Sequence, residues 1–255
     1  MHEPILALRR VNKSFGPVRA LREVDFTVRA GEVTALIGDN GAGKSTLVKC
    51  IAGMHRFDGG EVLFEGRPVQ IQRPSDAAAL GIEIVYQDLA LCDDLDVVQN
   101  MFLGRERGPS MLLDDTAMEL AARRTLRSLS VRTVGSVRAK VGSLSGGQRQ
   151  TVAIAKAVLW NSKVVVLDEP TAALGVAQTR QVLDLIRRLA DQGLGVVLIS
   201  HNMTDVFEVA DRIATLYLGR MAAELPVREL THGQVVELMT AGRSGDLGIA
   251  RPAAV

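Results

Sequence analysis

Cysteine is scarce in this chain. Cys50 and Cys92 are the two in 255 residues, and their separation matches no metal-binding spacing. That usage excludes a disulfide-built secreted scaffold and predicts a reducing, cytosolic setting. Charge of one sign is lacking too. Thirty Lys and Arg face 29 Asp and Glu, a formal net charge of +1, and no block of five like charges occurs. The electrostatic footprint of a nucleic-acid or acidic-membrane binder is therefore missing, and no nucleic-acid partner is expected. No apolar run approaches the roughly 18–20 residues that cross a bilayer, and the start does not read as a signal peptide. A membrane component is then expected to be another polypeptide. There is no internal repeat.

What the chain does contain is a phosphate cradle. Gly38-Asp39-Asn40-Gly41-Ala42-Gly43-Lys44-Ser45-Thr46 fits G-x-x-x-x-G-K-[ST]. The apolar, β-branched segment 33–37 before it reads as a buried strand. Residues 46–52 after it read as a helix, with Gly53 as its C-terminal stop. Glycines let the backbone wrap a polyphosphate and aim N–H groups at its oxygens, and the helix N-terminus adds a positive partial charge. Lys44 would reach the β- and γ-phosphates, and the Ser45 hydroxyl would hold Mg²⁺.

Three further apolar runs end in polar residues suited to the same chemistry. Val164-Val165-Val166-Leu167 ends in Asp168-Glu169. Continuous apolar runs suit parallel strands covered on both faces, whose carboxyl ends carry the ligand chemistry of such sheets. Asp168 would hold Mg²⁺ through water, and Glu169 would orient or deprotonate the attacking water. The run 194–200 leads to His201, which could touch the γ-phosphate and hold the water. The run 82–85 leads to Gln87, a neutral amide able to touch both Mg²⁺ and water. Singly, an acid pair at a strand end, a lone histidine or a surface glutamine is ordinary. Their order behind a phosphate cradle selects the chemical reading.

Leu144-Ser145-Gly146-Gly147-Gln148 specifies the kind of nucleotide machine. With Phe15, the cradle, Gln87, the acid pair and His201 in this order, residues 5–240 resemble the ATP-binding cassette of ABC transporters. Ser145, Gly146 and Gly147 open a helix, so their N–H groups and the helix dipole can face a second phosphate. The resemblance implies a head-to-tail dimer, with two ATP molecules held between the cradle of one subunit and the signature segment of the other. It also implies that Phe15 stacks on adenine and that Gln148 belongs to the nucleotide site. One segment departs: where the family carries Ser-Ala-Leu-Asp after Pro170-Thr171, this chain has Ala172-Ala173-Leu174-Gly175, with Gly175 in place of the acid. An active but slow ATPase is the expectation.

The implied fold class is α/β: a P-loop NTPase core with a mixed, mainly parallel sheet flanked by helices, an N-terminal antiparallel β subdomain and an inserted helical lobe. Short strands and turns at 29–32 and 58–60 are expected in 1–87. The helical lobe with the signature is placed at 88–148, where Met118, Ala122, Leu126 and Leu129 share one helical face. The α/β core resumes over 149–240, with Val182, Leu185, Ile186 and Leu189 on a buried stripe. Residues 241–255 read as a loose tail.

Segments 86–91, 100–106, 172–176 and 200–212 resemble the bacterial monosaccharide importers of the ribose, xylose and fructose group. The partners implied are a second copy of the chain or a paralogous cassette, an integral-membrane permease and, indirectly, an extracytoplasmic sugar-binding protein. The cassette would sit peripherally on the cytoplasmic face of the membrane. Leu89, Leu91, Leu95, Met101, Phe102 and Leu103 are the candidate permease socket, some of them equally readable as lobe core. Two other classes remain as alternatives: a non-transport ABC ATPase acting on nucleic acid or ribosomes, and a P-loop kinase. The first would want a basic face or tandem cassettes. The second has no use for the signature segment.

Overall fold

The computed structural model describes residues 3–108, 112–131 and 134–249. Two sheets organise them. A four-stranded antiparallel sheet has the order β2-β1-β4-β5, built from β1 (Pro4–Phe15), β2 (Val18–Arg29), β4 (Gly59–Phe64) and β5 (Arg67–Val69). A six-stranded sheet has the order β10-β9-β3-β8-β7-β6, from β3 (Val33–Gly38), β6 (Ile82–Val85), β7 (Val164–Asp168), β8 (Gly195–Ile199), β9 (Arg212–Tyr217) and β10 (Arg220–Pro226). Five of its strands are parallel, and β10 closes one edge antiparallel to β9.

The apolar runs are buried on both faces. On β7, Val165 and Leu167 enter one hydrophobic cluster while Val164 and Val166 enter another on the opposite side. Side chains alternate across a strand, so a run with no polar interruption needs cover on both sides. Helix α1 (Lys44–Ile51) contributes Leu47, Val48 and Ile51 to the second cluster, and α6 (Val176–Asp191) contributes Val182, Leu185, Ile186 and Leu189 to the first. Helix α1 stops at Gly53, whose φ of +73° is open to glycine at little cost. Its N–H donates to the Cys50 carbonyl and that of Met54 to the Lys49 carbonyl, which satisfies the last carbonyls of the helix.

Helix α2 (Pro74–Ala79) lies between β5 and β6, and between β6 and β7 lie α3 (Val97–Phe102), α4 (Asp115–Ser128) and α5 (Gly146–Val158). Asp96 and Asp114 cap α3 and α4, accepting from the N–H groups of Gln99 (2.7 Å) and Ala117 (2.8 Å). Met118, Ala122, Leu126 and Leu129 are all buried against the first cluster. Helices α7 (Met203–Val209) and α8 (His232–Ala241) follow β8 and β10.

Two expectations change, and the socket residues divide between the two readings given for them. Strands β1 and β2 are 12 residues each rather than short, because both carry bulges that let a long hairpin bend around the core. Residues 244–249 are not loose: Ser244 and Ile249 exchange two backbone hydrogen bonds of 3.0 Å, and Leu247 and Ile249 pack on the first cluster. The rest of the expected tail, 250–255, lies outside the described residues. Of the candidate socket, Met101 and Phe102 are fully buried core, whereas Leu103 is exposed.

Candidate nucleotide site

The carboxyl ends of β3, β6, β7 and β8 open into one cavity of about 910 Å³. It is lined by every residue from Gly38 to Thr46, and by Gln87, Asp168, Glu169 and His201. The parallel sheet accounts for this convergence. Each strand ends at the same edge, so residues scattered over more than 160 positions of sequence share one mouth.

The loop geometry comes from its glycines and from what presses on them. Gly43 is the residue before α1 and adopts φ +109°. A Cβ there would stand 2.8 Å from the Ala20 carbonyl oxygen. Only glycine lets the loop pass this close to β2 and still turn its N–H groups toward the cavity. The Lys44 ammonium closes back on the loop and donates to the carbonyls of Gly38 (2.6 Å) and Asp39 (3.1 Å). Burial lowers the Lys44 pKa, against the raising influence of Glu169, Asp39 and Asp168. Burial likewise raises the Asp168 carboxyl, helped by Glu169 and opposed by Lys44. Both charges thus stand in an environment poorer than water, where an added cation and an added polyphosphate are each strongly felt.

Glu169 has a left-handed backbone, φ +50°. Its N–H donates to the Ile199 carbonyl at 2.9 Å, which ties the end of β7 to the end of β8. Its carboxylate lies 2.8 Å from His201 Nδ1, and the His201 ring is largely exposed. The two residues read separately in sequence, as a base and a γ-phosphate contact, thus stand side by side as one close pair.

Three oxygen donors suited to Mg²⁺, on Ser45, Gln87 and Asp168, line the same cavity. Among the described residues no group of three or more His, Cys, Asp or Glu could hold a metal alone. That donor set fits a magnesium ion that arrives with phosphate oxygens rather than one caged by protein.

Phe15 and the signature segment lie apart. Phe15, at the tip of the β1–β2 hairpin, does not line the cavity. It is 43% exposed and makes an edge contact with His55, ring centroids 5.1 Å apart. Val18 and Arg19, just beyond it, do line the cavity. Ser145 caps α5: its N–H donates to Gln148 Oε1 at 2.8 Å, and its Oγ accepts from the Gln148 N–H at 3.4 Å. A Cβ on Gly147 would press on Gln178 at 3.0 Å, and one on Gly146 on Leu174 at 3.2 Å, so the start of α5 packs against the start of α6. None of Ser145 to Gln148 reaches the cavity of its own chain. Arg149 holds the loop before the signature, donating to the carbonyls of Gly142 (3.0 Å) and Leu144 (3.2 Å).

Sequence reasoning missed several walls of the site: Arg22, Leu218, Gly219 and Met239. The turn between β9 and β10 arrives there because the Arg22 N–H donates to the Gly219 carbonyl at 2.7 Å and the Gly219 N–H to the Ala42 carbonyl at 2.9 Å. No local signal marks such pairings. They depend on which strand neighbours which.

Comparison with known proteins agrees with this geometry. Residues 21–172 match the family described as ABC transporter. The chain is similar to the fructose import ATP-binding protein FrcA of Rhizobium meliloti, 48% identical over 94% of this chain and 95% of that protein. It is similar to the xylose/arabinose import ATP-binding protein XylG of Sulfolobus acidocaldarius, 45% identical over 96% and 97%. Its fold is similar to the ADP conformation of an ATP-binding cassette of an ABC transporter, with a TM-score of 0.79 and 26% identity over 94% of this chain and 96% of that one. With the phosphate loop, the acid pair and the histidine brought to one cavity and the signature segment at a helix start outside it, the chain belongs to the ABC transporter family.

Proposed function

We propose that this chain binds and hydrolyses ATP as the energising subunit of a membrane importer for a sugar, a monosaccharide such as fructose, xylose or ribose. The observation that carries the reading is the convergence of the phosphate loop, Gln87, Asp168, Glu169 and His201 on one cavity. The similarity to proteins named as fructose and xylose/arabinose import ATP-binding subunits supplies the substrate class. Residues 1–240 act as a single nucleotide-binding domain in this reading.

Backbone N–H groups of 38–46 and the Lys44 ammonium bind the β- and γ-phosphates. Ser45, Gln87 and Asp168 hold the Mg²⁺, which offsets phosphate charge when bound. Glu169 orients and deprotonates the attacking water, and His201 holds Glu169 and the γ-phosphate in register. Phe15 stacks on adenine from beyond the cavity wall that Val18 and Arg19 form. The signature residues Ser145, Gly146, Gly147 and Gln148 serve the cavity of a second copy, or of a paralogous cassette, because they do not reach their own. Among the described residues no helix is long and apolar enough to cross a membrane. In this reading the permease is a separate chain, and this one docks on its cytoplasmic face.

The test is a pull-down of tagged Glu169→Gln with ATP and Mg²⁺ from native membranes in mild detergent. Recovery of a polytopic permease together with a sugar-binding protein supports the importer. Recovery of ribosomal or DNA-repair proteins with no membrane partner overturns it.

A further inference from the structure

The Glu169–His201 pair sits at the ends of two different strands, and its own contact, 2.8 Å between carboxylate oxygen and Nδ1, is a poor ruler. The His201 side chain is 80% exposed. An exposed contact of this kind contributes little once solvent competes for both partners. The loop that carries Glu169 is also strained. Glu169 and Ala173 both adopt left-handed backbone, φ +50° and +59°. Such residues persist only where their surroundings over-determine them.

Behind the pair lies a second link. Thr171 Oγ1 donates to Asp205 Oδ2 at 2.7 Å. Thr171 is two residues after Glu169, and Asp205 is four residues after His201. Asp205 is only 5% exposed. It stands in the first turn of α7, whose cap Asn202 accepts from the N–H groups of Thr204 and Asp205. A carboxylate taken out of water is costly unless it is hydrogen-bonded, and here the Thr171 hydroxyl is its side-chain donor. Among the described residues, this is the one side-chain hydrogen bond that joins residues 169–175 to residues 200–205, beside the Glu169–His201 contact. The hydrogen bond, the Glu169–His201 contact and the two short loops close a ring: Glu169 to Thr171, across to Asp205, back through the α7 cap to His201, and across to Glu169.

We infer that Thr171 and Asp205 are positioning residues for ATP hydrolysis. Their buried hydrogen bond fixes the loop of Glu169 to the loop of His201, so that base and histidine meet water and γ-phosphate at a set separation. The inference rests on the proposed ATPase reading. Neither residue lines the cavity, so neither touches nucleotide, and the effect of removing them falls on turnover rather than on binding.

The experiment measures ATP hydrolysis by the full chain, over a range of ATP at saturating Mg²⁺, for five variants. Thr171→Val keeps the shape and removes the donor. It is expected to lower kcat about tenfold with KM within about twofold. Thr171→Ser restores the donor and stays within about twofold of the parent. Removing one partner leaves a buried carboxylate unsatisfied and threatens folding, whereas replacing both with apolar groups is close to neutral. Thr171→Val/Asp205→Leu therefore keeps the melting temperature while showing the same loss of kcat. In the His201→Ala background, adding Thr171→Val costs less than about twofold more, because the bond acts through the pair. A parental kcat in Thr171→Val or in the apolar double variant, or an equal loss in both backgrounds, overturns the inference alone. A parental kcat in His201→Ala overturns the proposed role of His201, and the inference with it.

Discussion

Replacing Ser145 by Ala separates two roles that one hydroxyl could play. As a helix cap its contribution is small. The Oγ accepts from the Gln148 N–H at 3.4 Å, long for a good bond, while the stronger half of the box, 2.8 Å from the Ser145 N–H to Gln148 Oε1, survives the change. The cost is then at the low end for a lost cap, about 0.5–1 kcal/mol. In a domain of this size that lowers the melting temperature by about 1–4 °C. It leaves nearly all molecules folded at 25 °C, given a typical stability of about 5–15 kcal/mol. As a contact to the γ-phosphate held by a second copy, the same hydroxyl is a hydrogen bond to a charged group, worth about 1.5–3 kcal/mol. Losing it lowers turnover about ten- to a hundredfold. The assay pairs a thermal melt with steady-state ATPase rates at several protein concentrations. The expected result is a small melt shift, a large loss of rate, and a weaker dependence of specific activity on protein concentration. A melt lowered by a few degrees with turnover within about twofold of the parent would reduce Ser145 to a cap and refute the shared-site reasoning.

Other outcomes follow from single positions. Gly43→Ala forces a Cβ to within 2.8 Å of the Ala20 oxygen at φ +109°. It should cost about 1–3 kcal/mol and abolish nucleotide binding, read by titration with a fluorescent ATP analogue. Gly175, the residue before α6, has φ −73°, ψ 161° and nothing within 4 Å of a would-be Cβ. Gly175→Asp should therefore add a few tenths of a kcal/mol as a cap and raise turnover toward that of cassettes carrying the acid, measured by calorimetry and ATPase rate. Burial first, then Glu169, holds the Asp168 carboxyl above its ordinary value. A carboxyl whose folded pKa lies above its unfolded one opposes folding at pH above the folded value, and that cost fades as pH falls through it. Asp168→Asn should thus melt higher than the parent near pH 7.5 in the absence of nucleotide. The gap should close toward pH 4, while Mg²⁺-dependent hydrolysis is lost at every pH. A gap that widens on acidification would contradict this account of Asp168.

Much of the nucleotide site was legible because its chemistry is local. A strand, a glycine loop and a helix start lie within 20 consecutive residues, so Gly38 to Thr46 announce both the backbone path and the dipole that a phosphate needs. The apolar runs before Asp168-Glu169 and His201 identified parallel strands for a similar reason: a segment with no polar alternation must be covered on both faces. The helical stripes of α4 and α6 were readable from their 3.6-residue period.

Tertiary structure decided the rest. Strand order is a matter of long-range pairing, and only the sequence β9-β3-β8-β7-β6 brings Gln87, Asp168, Glu169 and His201 to the mouth of the phosphate loop. It also brings the turn at Gly219, and with it walls no motif announces. The Glu169–His201 contact and the Thr171–Asp205 hydrogen bond behind it join the ends of neighbouring strands, as does the backbone bond from Glu169 to Ile199. A residue type and its near neighbours set backbone preference and charge. Which distant group satisfies a buried carboxylate is set by the packing of whole elements.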